Sequence, residues 1–464
     1  MYMKPEELFH ELLGLGANWR VTELVYLKGG RGEVRIAIED TDALIESLNC
    51  EENGSSVHLY DHSAKRTWRH LNIFEHECFI ECSLPRVKCS KSGKITTVKA
   101  PWEGKIKGFT LLFEAFALTL LREMPVNAVS RILSEHDTRL WRLLRGYVQE
   151  AYQEADFSEL KRVGCDELSA RKGHSYLSVF ADLEAKKVVY ATAGKDASTW
   201  DRFAEELPKH NAKARQIETV SIDMGAAYKK GASDNCPDAA IVFDRFHVVQ
   251  TVGKAVDEVR RREHRSLLRK GDKSLKESMW LFRNNPQNLD EDQTAHLDNI
   301  KEANLITAKA YQMRLTLQDI YNLKELTLFK KKLLVWCRWV KAYGKSKGYL
   351  FKPMVAAAKS IPNHLDGIIS FAESRITNAF MEGLNRVFSA VKRKARGFRS
   401  NQNLICITLP DKTFFFENTL QDMSESILAY LDHSHGMLEV IQSMSKKTFF
   451  QETVSLFLNR LLLI

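Results

Sequence analysis

Three carboxylates stand out by position. Asp166 lies inside an apolar run, V-G-C-D-E, Asp223 ends another, V-S-I-D-M-G, and Glu382 sits in T-N-A-F-M-E-G-L-N, at spacings of 57 and 159 positions. An acid inside or ending an apolar strand must be desolvated, and a bound cation is one thing that justifies it. Hard divalent ions such as Mg²⁺ take oxygen ligands, typically one or two carboxylates completed by water and phosphate oxygens. Two such ions can activate an attacking oxygen and stabilise a leaving one at a phosphodiester. Each acid alone has a plainer reading: a strand-end Asp caps a helix or lines a loop, and a Glu on a polar helix faces water. Together, in these contexts, they point to metal-dependent phosphodiester chemistry.

The neighbourhood of Glu382 adds to this. Asn378 and Asn385 lie four before and three after it, on the same helical face, placed either to bond the carboxylate or DNA or to join helices. From Arg386 to Arg399 come Arg386, Lys392, Arg393, Lys394, Arg396 and Arg399 without an acid. Arg260–Lys270 holds six more basic residues, with Glu263 its only acid. Clustered Lys and Arg neutralise phosphates and release counterions, although a charge run alone is usually a solvated face. The net charge, 68 Lys+Arg against 59 Asp+Glu or +9, is modest for 464 residues, so its clustering matters more than its size.

The elements that must position these groups divide the chain. Residues 1–104 read as short β segments, Thr22–Leu27, Glu33–Ile38, Val57–Asp61, Glu77–Leu84 and Ile95–Val98, separated by Gly- and Asn-containing turns. Residues 105–160 show helical periodicity. Within them, Pro125–Leu133 and Asp137–Tyr147, joined at Ser134–His136, have helix-turn-helix spacing; Arg139, Arg142 and Arg145 on the second helix are the groove-reading candidates. Residues 161–264 alternate as β-β-β-α-β-α-β-α, which implies a sheet flanked by helices. Residues 265–375 lose the strands and read as a helical insertion, in which Trp280, Trp336 and Trp339 either fill the core or stack on an exposed base. Residues 376–402 form a last basic helix, and 403–464 are a tail of mixed composition.

Composition is that of a globular protein, 44% hydrophobic and 27% charged, which excludes bulk disorder. The longest apolar stretches, Phe109–Leu121 and Val454–Ile464, fall short of the roughly 20 residues a spanning helix needs, so no membrane partner is expected. Met1–Leu13 has no signal-peptide pattern, and eight cysteines make no disulfide framework. A reducing, cytoplasmic location follows as an expectation.

The G-C-D-E around Asp166, S-I-D-M-G-A-A-Y around Asp223, F-D-R-F-H-V-V, and T-N-A-F-M-E-G-L-N-R-V-F-S-A-V-K-R-K-A-R-G-F-R-S at 377–400 together resemble the DDE transposases of bacterial insertion sequences, in the family L-three. The resemblance covers most of residues 5–400. It implies an α/β fold with a ribonuclease-H-like catalytic core, a long helical insertion, an N-terminal β-rich region and a helix-turn-helix. It implies Asp166, Asp223 and Glu382 as catalytic metal ligands for Mg²⁺ or Mn²⁺, two ions in all. Asp244 and His247 match an Asp-x-x-His signature; His247 then faces the metal site, or else Asp244 caps a helix and His247 is a buried histidine. The partners implied are double-stranded DNA, as terminal inverted repeats and target, and further copies of the chain in a synaptic complex at the bacterial nucleoid. The activity implied is strand cleavage and strand transfer. A catalytically inactive, transposase-derived regulator is the second reading.

Two regions depart from the family. Its zinc ribbon carries paired Cys-x-x-Cys ligands; here Cys50 is followed by Asn53 and Cys89 by Ser92, and Asn and Ser are poor zinc ligands. A rearranged site would draw on Cys78, Cys82, His58, His62, His70 and His76. The stretch after Asn403 matches nothing in the family.

Overall fold

A computed structural model of the chain describes residues 3–171, 175–303, 305–396, 398 and 400–409. Tail residues 410–464 and Arg399 lie outside the described residues. The chain divides into a first compact unit through Tyr152 and a second over Gln153–Leu409.

The first unit begins with helix α1 (Pro5–Leu13), strands β1 (Trp19–Leu27) and β2 (Glu33–Asp40), and helix α2 (Asp42–Ser47). Strands β3 (Val57–His62), β4 (Arg66–Ile73), β5 (His76–Cys82), β6 (Pro85–Cys89) and β7 (Ile95–Thr97) follow. They form a four-stranded sheet in the order β1-β2-β5-β4 and a three-stranded sheet in the order β3-β6-β7. The core beneath the larger sheet gathers Trp19, Ile36, Ile38, Trp68, Cys78, Ile80 and Trp102. Alternation along β4 and β5 supplies it, since successive strand side chains face opposite ways.

Helices α3 (Leu111–Glu123), α4 (Val126–Leu133) and α5 (Asp137–Gln153) complete this unit. The α4–α5 turn is tight. Ser134 takes a left-handed conformation, φ 55°, the Glu135 amide donates to Ser130 O, and the Ser130 hydroxyl donates to Glu135 O at 2.6 Å. Beneath it lies a buried ion pair, Arg69 Nε to Glu135 at 3.8 Å, with the Arg69 guanidinium over the Phe79 and Phe113 rings.

The second unit is built on strands β8 (Arg162–Arg171), β9 (Ser175–Asp182) and β10 (Lys187–Ala193), then helix α6 (Ser198–Glu206), β11 (Thr219–Ile222), α7 (Ala226–Asn235) and β12 (Ala240–Phe243). The sheet order is β10-β9-β8-β11-β12. The first three strands form an antiparallel meander, and β11 runs parallel to both β8 and β12. Phe180 stacks on Phe203 with centroids 4.4 Å apart, and Trp200 meets Phe180 edge-on, fixing α6 to the sheet. The two apolar aromatics and the indole remove a large area from water.

The remaining helices are α8 (Arg245–Leu268), α9 (Met279–Arg283), α10 (Glu291–Glu302), α11 (Ile306–Tyr321), α12 (Leu326–Lys347), α13 (Lys352–Asn363), α14 (Leu365–Ser374), α15 (Ala379–Lys394) and α16 (Asn401–Thr408). Glu263 of α8 is buried because it caps α11, accepting from the amides of Ile306 and Thr307 at 2.8 and 2.7 Å. Trp336 is core, its indole donating to Met313 O. Trp339 is half-buried under Lys309, and Trp280 is exposed beside Arg283. The last basic stretch is shorter than the sequence suggests. It leaves the helix after Lys394, Arg396 adopts φ 55°, and Ser400 caps α16 through the Asn403 amide. Leu404 of α16 packs with Met381 and Phe388 of α15 against the meander.

Candidate active site

The parallel strands place three acids in a row. Register pairs Ser221 with Gly164 on β8, and Ile222 with Phe243 on β12. Two residues on from Ser221, Asp223 falls level with Asp166; one residue on from Ile222, it falls level with Asp244. The ends of β11 and β12 therefore deliver Asp223 and Asp244 to one edge of the sheet, beside Asp166. Local bonds orient each group. Asp166 Oδ1 accepts from the Glu167 amide at 2.7 Å, Asp223 Oδ1 from the Met224 amide at 2.5 Å, and Asp244 Oδ1 from the Phe246 amide at 3.1 Å. Asp244 is the N-cap of α8, so it caps the helix and also contributes negative charge to the row. One turn into α8, His247 Nδ1 lies 3.6 Å from Asp223 Oδ1, while its Nε2 is buried without a partner.

Glu382 arrives on the first turn of α15, half-buried, its amide donating to Asn378 O. Asn385 Nδ2, on the same face, donates to Asp166 Oδ2 at 2.8 Å across 219 positions of sequence. Asn378 is fully buried, and neither of its side-chain polar atoms has a hydrogen-bond partner. It stands directly behind Gly164: a Cβ added there would lie 3.2 Å from Asn378 Oδ1 and 3.1 Å from Met381 Cγ. Strand and helix meet backbone to side chain at that point, and only glycine leaves room.

Burial and neighbouring negative charge hold Asp166 and Glu382 above the ordinary carboxylate range. Asp166 is raised first by desolvation, then by the negative charges of Asp223 and Asp244. Glu382 is raised by burial and by Asp244 and Asp166, with His247 and Arg386 opposing. An all-oxygen set of like charges suits a hard cation. Among the described residues no three His, Cys, Asp or Glu side chains stand close enough to share one ion. Mg²⁺ commonly takes fewer protein carboxylates than that and completes its shell with phosphate oxygens and water.

Arg386, Arg393, Lys394 and Arg396 are exposed. Lys392 donates to Ser169 O at 2.7 Å and ties α15 to β8. Arg260 and Arg261 pair with Asp257, and Arg262 with Glu258; these two acids precede the run on the same helix and pair with three of its six basic residues. On α5, Arg142 is exposed. Arg139 is held by Glu135 at 2.6 Å and Gly108 O at 3.2 Å, with its guanidinium 3.9 Å from the Phe109 ring centroid. Arg145 Nε bonds Trp141 O within its own helix. Sequence reasoning did not single out Gly164, the Arg69–Glu135 pair or the ties of Arg139. Gly164 is visible only as a small residue two before an acid; nothing local marks the other two.

Residues 163–408 match a family of transposases with a DDE core, residues 98–148 the helix-turn-helix domain of transposase family ISL3, and residues 50–91 the zinc-finger of transposases IS204/IS1001/IS1096/IS1165. The class is that of DDE transposases, enzymes of DNA transposition that bind DNA and use divalent metal. The chain is 27% identical over 358 residues to the transposase for insertion sequence element IS1001 of Bordetella parapertussis, covering 76% of this chain and 86% of that one. It is 26% identical over 439 residues to the transposase for insertion sequence element IS1557 of Mycobacterium tuberculosis, covering 88% and 95%. The chain belongs to the ISL3 family of transposases. Among the described residues no helix is long and apolar enough to cross a membrane.

Proposed function

We propose that Asp166, Asp223 and Glu382 are the catalytic carboxylates of a ribonuclease-H-like core that cleaves the ends of its insertion sequence and joins them to target DNA. The row of acids on neighbouring parallel strands, bridged to α15 by the Asn385–Asp166 bond, is the observation that carries this reading. The strand order, a three-stranded meander extended by two parallel strands, supports the core assignment.

The work of the chain is to bind, orient and hold charge. Arg142 of α5 reads the terminal inverted repeat in the major groove, while Arg139 and Arg145 brace the helix that presents it. Arg386, Arg393, Lys394 and Arg396 hold the phosphate backbone near the acids, and Arg399 lengthens that basic stretch. Asp166, Asp223 and Glu382 would hold Mg²⁺ or Mn²⁺, two ions by the usual logic of such sites, and the ions would supply Lewis acidity at the scissile phosphate. Asn385 fixes the rotamer of Asp166, and His247 orients Asp223 from the other side. Water attack frees a 3′-hydroxyl at the element end, and that hydroxyl then attacks a target phosphodiester in line, with the leaving 3′-oxygen taking a proton. Pairing two ends requires at least two copies of the chain, assembled on DNA at the bacterial nucleoid.

The test is end cleavage of a terminal-repeat duplex in Mg²⁺ and in Mn²⁺. Asp166→Asn, Asp223→Asn and Glu382→Gln should each abolish cleavage and leave repeat binding intact. Full cleavage by Asp223→Asn would sink the assignment.

A further inference from the structure

The region matched to a zinc finger is built from two facing turns of the same design. The first, Cys50-x-x-Asn53-Gly54, closes with the Gly54 amide donating to Cys50 O at 2.8 Å; the second, Cys89-x-x-Ser92-Gly93, closes with the Gly93 amide donating to Cys89 O at 2.9 Å. Both glycines have positive φ, 66° and 69°, as such tight turns require. In the second turn the Ser92 amide also donates to Cys89 Sγ at 3.4 Å. The backbone is thus that of a pair of knuckles, each offering one sulfur and one neutral oxygen side chain.

We infer that these two knuckles are closed by a hydrogen-bond set centred on the Cys89 sulfur and that this protein holds no zinc there. Structural zinc takes four ligands drawn from thiolate, imidazole and carboxylate; Asn53 and Ser92 supply none of these. Their side chains have other work. Asn53 Oδ1 accepts from the Ser55 amide and hydroxyl at 3.0 and 2.6 Å, and Asn53 Nδ2 reaches Cys89 Sγ at 3.7 Å. The Ser55 hydroxyl lies 3.1 Å from Cys89 Sγ. The turns are joined further by Ser56 and Ser90, hydroxyl to hydroxyl at 3.0 Å and Ser90 amide to Ser56 O at 3.1 Å, and by the Lys94–Glu52 ion pair. These contacts link one turn to the other across the positions that a shared ion would link.

The neighbouring donors do not supply a substitute site. His58 is exposed on β3, while His62 is bonded to Asp40, His70 to Thr110 and His76 to Arg31 O. Cys78 and Cys82 are core side chains whose thiols burial pushes up to about 12, far from the thiolate form zinc requires. Among the described residues no three such groups are gathered to hold an ion.

The experiment is metal content and thermal melting of the full chain, expressed with added zinc. The wild-type protein should carry far less than one equivalent of zinc, and a chelator should leave its Tm unchanged. N53C/S92C should take up about one zinc per chain, because the knuckle backbone is already formed, and its Tm should become chelator-sensitive. S55A, which removes a hydroxyl from the Cys89 sulfur, should lower Tm by about 2–4 °C. A wild-type chain with stoichiometric zinc, or a chelator-induced fall in its Tm, overturns the inference. So does folded N53C/S92C that binds no zinc, or S55A that melts with the wild type; if N53C/S92C does not fold, the wild-type metal content and the S55A melt decide.

Discussion

Gly164→Ala tests how closely α15 must approach β8. The added methyl would lie 2.7 Å from Leu183 Cδ2, 3.1 Å from Met381 Cγ and 3.2 Å from Asn378 Oδ1, where ordinary contact begins near 3.4 Å. Leu183 can swing away, since only its far end is in the way. Met381 and Asn378 belong to the helix start that carries Glu382, and both are buried, so the helix itself must give by a few tenths of an ångström. Overpacking of this kind costs about 1–3 kcal/mol. The catalytic cost is separate. A displacement of about 1 Å can cost about 10²-fold in rate, so a fraction of it sets an expected loss of roughly 5–30-fold in end cleavage. Single-turnover cleavage of a terminal-repeat duplex measures that loss, with a gel shift on the same duplex as control, since the helix-turn-helix lies in the first unit. Met381→Ala placed in the Gly164→Ala background should recover part of the rate by opening space at Cγ. Wild-type cleavage and an unchanged Tm in Gly164→Ala would show that the strand–helix approach does not set the site geometry.

Asn385→Ala should slow cleavage by roughly 10–100-fold while sparing DNA affinity, from the loss of a hydrogen bond to a charged group; a gel shift that weakens in parallel contradicts the positioning role. Removing Arg393, Lys394 and Arg396 together should flatten the dependence of log K on log salt by up to about 3, at about 0.9 for each lost phosphate contact; an unchanged slope means these residues do not touch DNA. Arg142→Ala should weaken repeat binding at constant Tm, whereas Arg139→Ala should lower Tm by leaving the buried Glu135 short of a partner; the reverse pattern would reassign the two. Glu114 is buried, accepts from the Lys105 and Ile106 amides and the Tyr147 hydroxyl, and burial raises its carboxyl above the ordinary 4.5. The folded chain therefore keeps a proton there that the unfolded chain has lost. That stabilisation is complete below 4.5 and is lost as pH rises through the raised folded value. The Tm difference between wild type and Glu114→Gln should change across that window, and a constant difference from pH 4 to 8 counts against it.

What the chain discloses in one dimension follows from what is local. The meander, the β-α alternation and the α4–α5 turn are written in periodicity and in residues such as Pro125 and Asp244, which act within a few positions. Strand β4 is harder to see, because Arg69 and His70 look like surface residues in the sequence. In the structure the first is buried against Glu135 and the second against Thr110. The acids Asp166, Asp223 and Glu382 stand out by context, but their juxtaposition depends on strand register and on the packing of α15. The arginines show the limit most clearly. Arg139, Arg142 and Arg145 are equivalent by composition and spacing, and only the folded structure shows that Arg139 and Arg145 are held by partners while Arg142 is exposed. The same holds for Arg260–Arg262, whose counter-charges at Asp257 and Glu258 lie just outside the basic run.

The Asn385–Asp166 bond spans 219 positions, and that has a consequence for synthesis. At about 5–20 residues per second, a ribosome that has made Asp166 needs roughly 10–45 s more before Asn385 exists. Throughout that interval the first unit, through Tyr152, has already been made. The helix-turn-helix region has therefore been synthesised while the helix bearing Glu382 does not yet exist. On the proposed assignment, the part of the chain that would bind DNA is finished before the carboxylates that would cut it are complete.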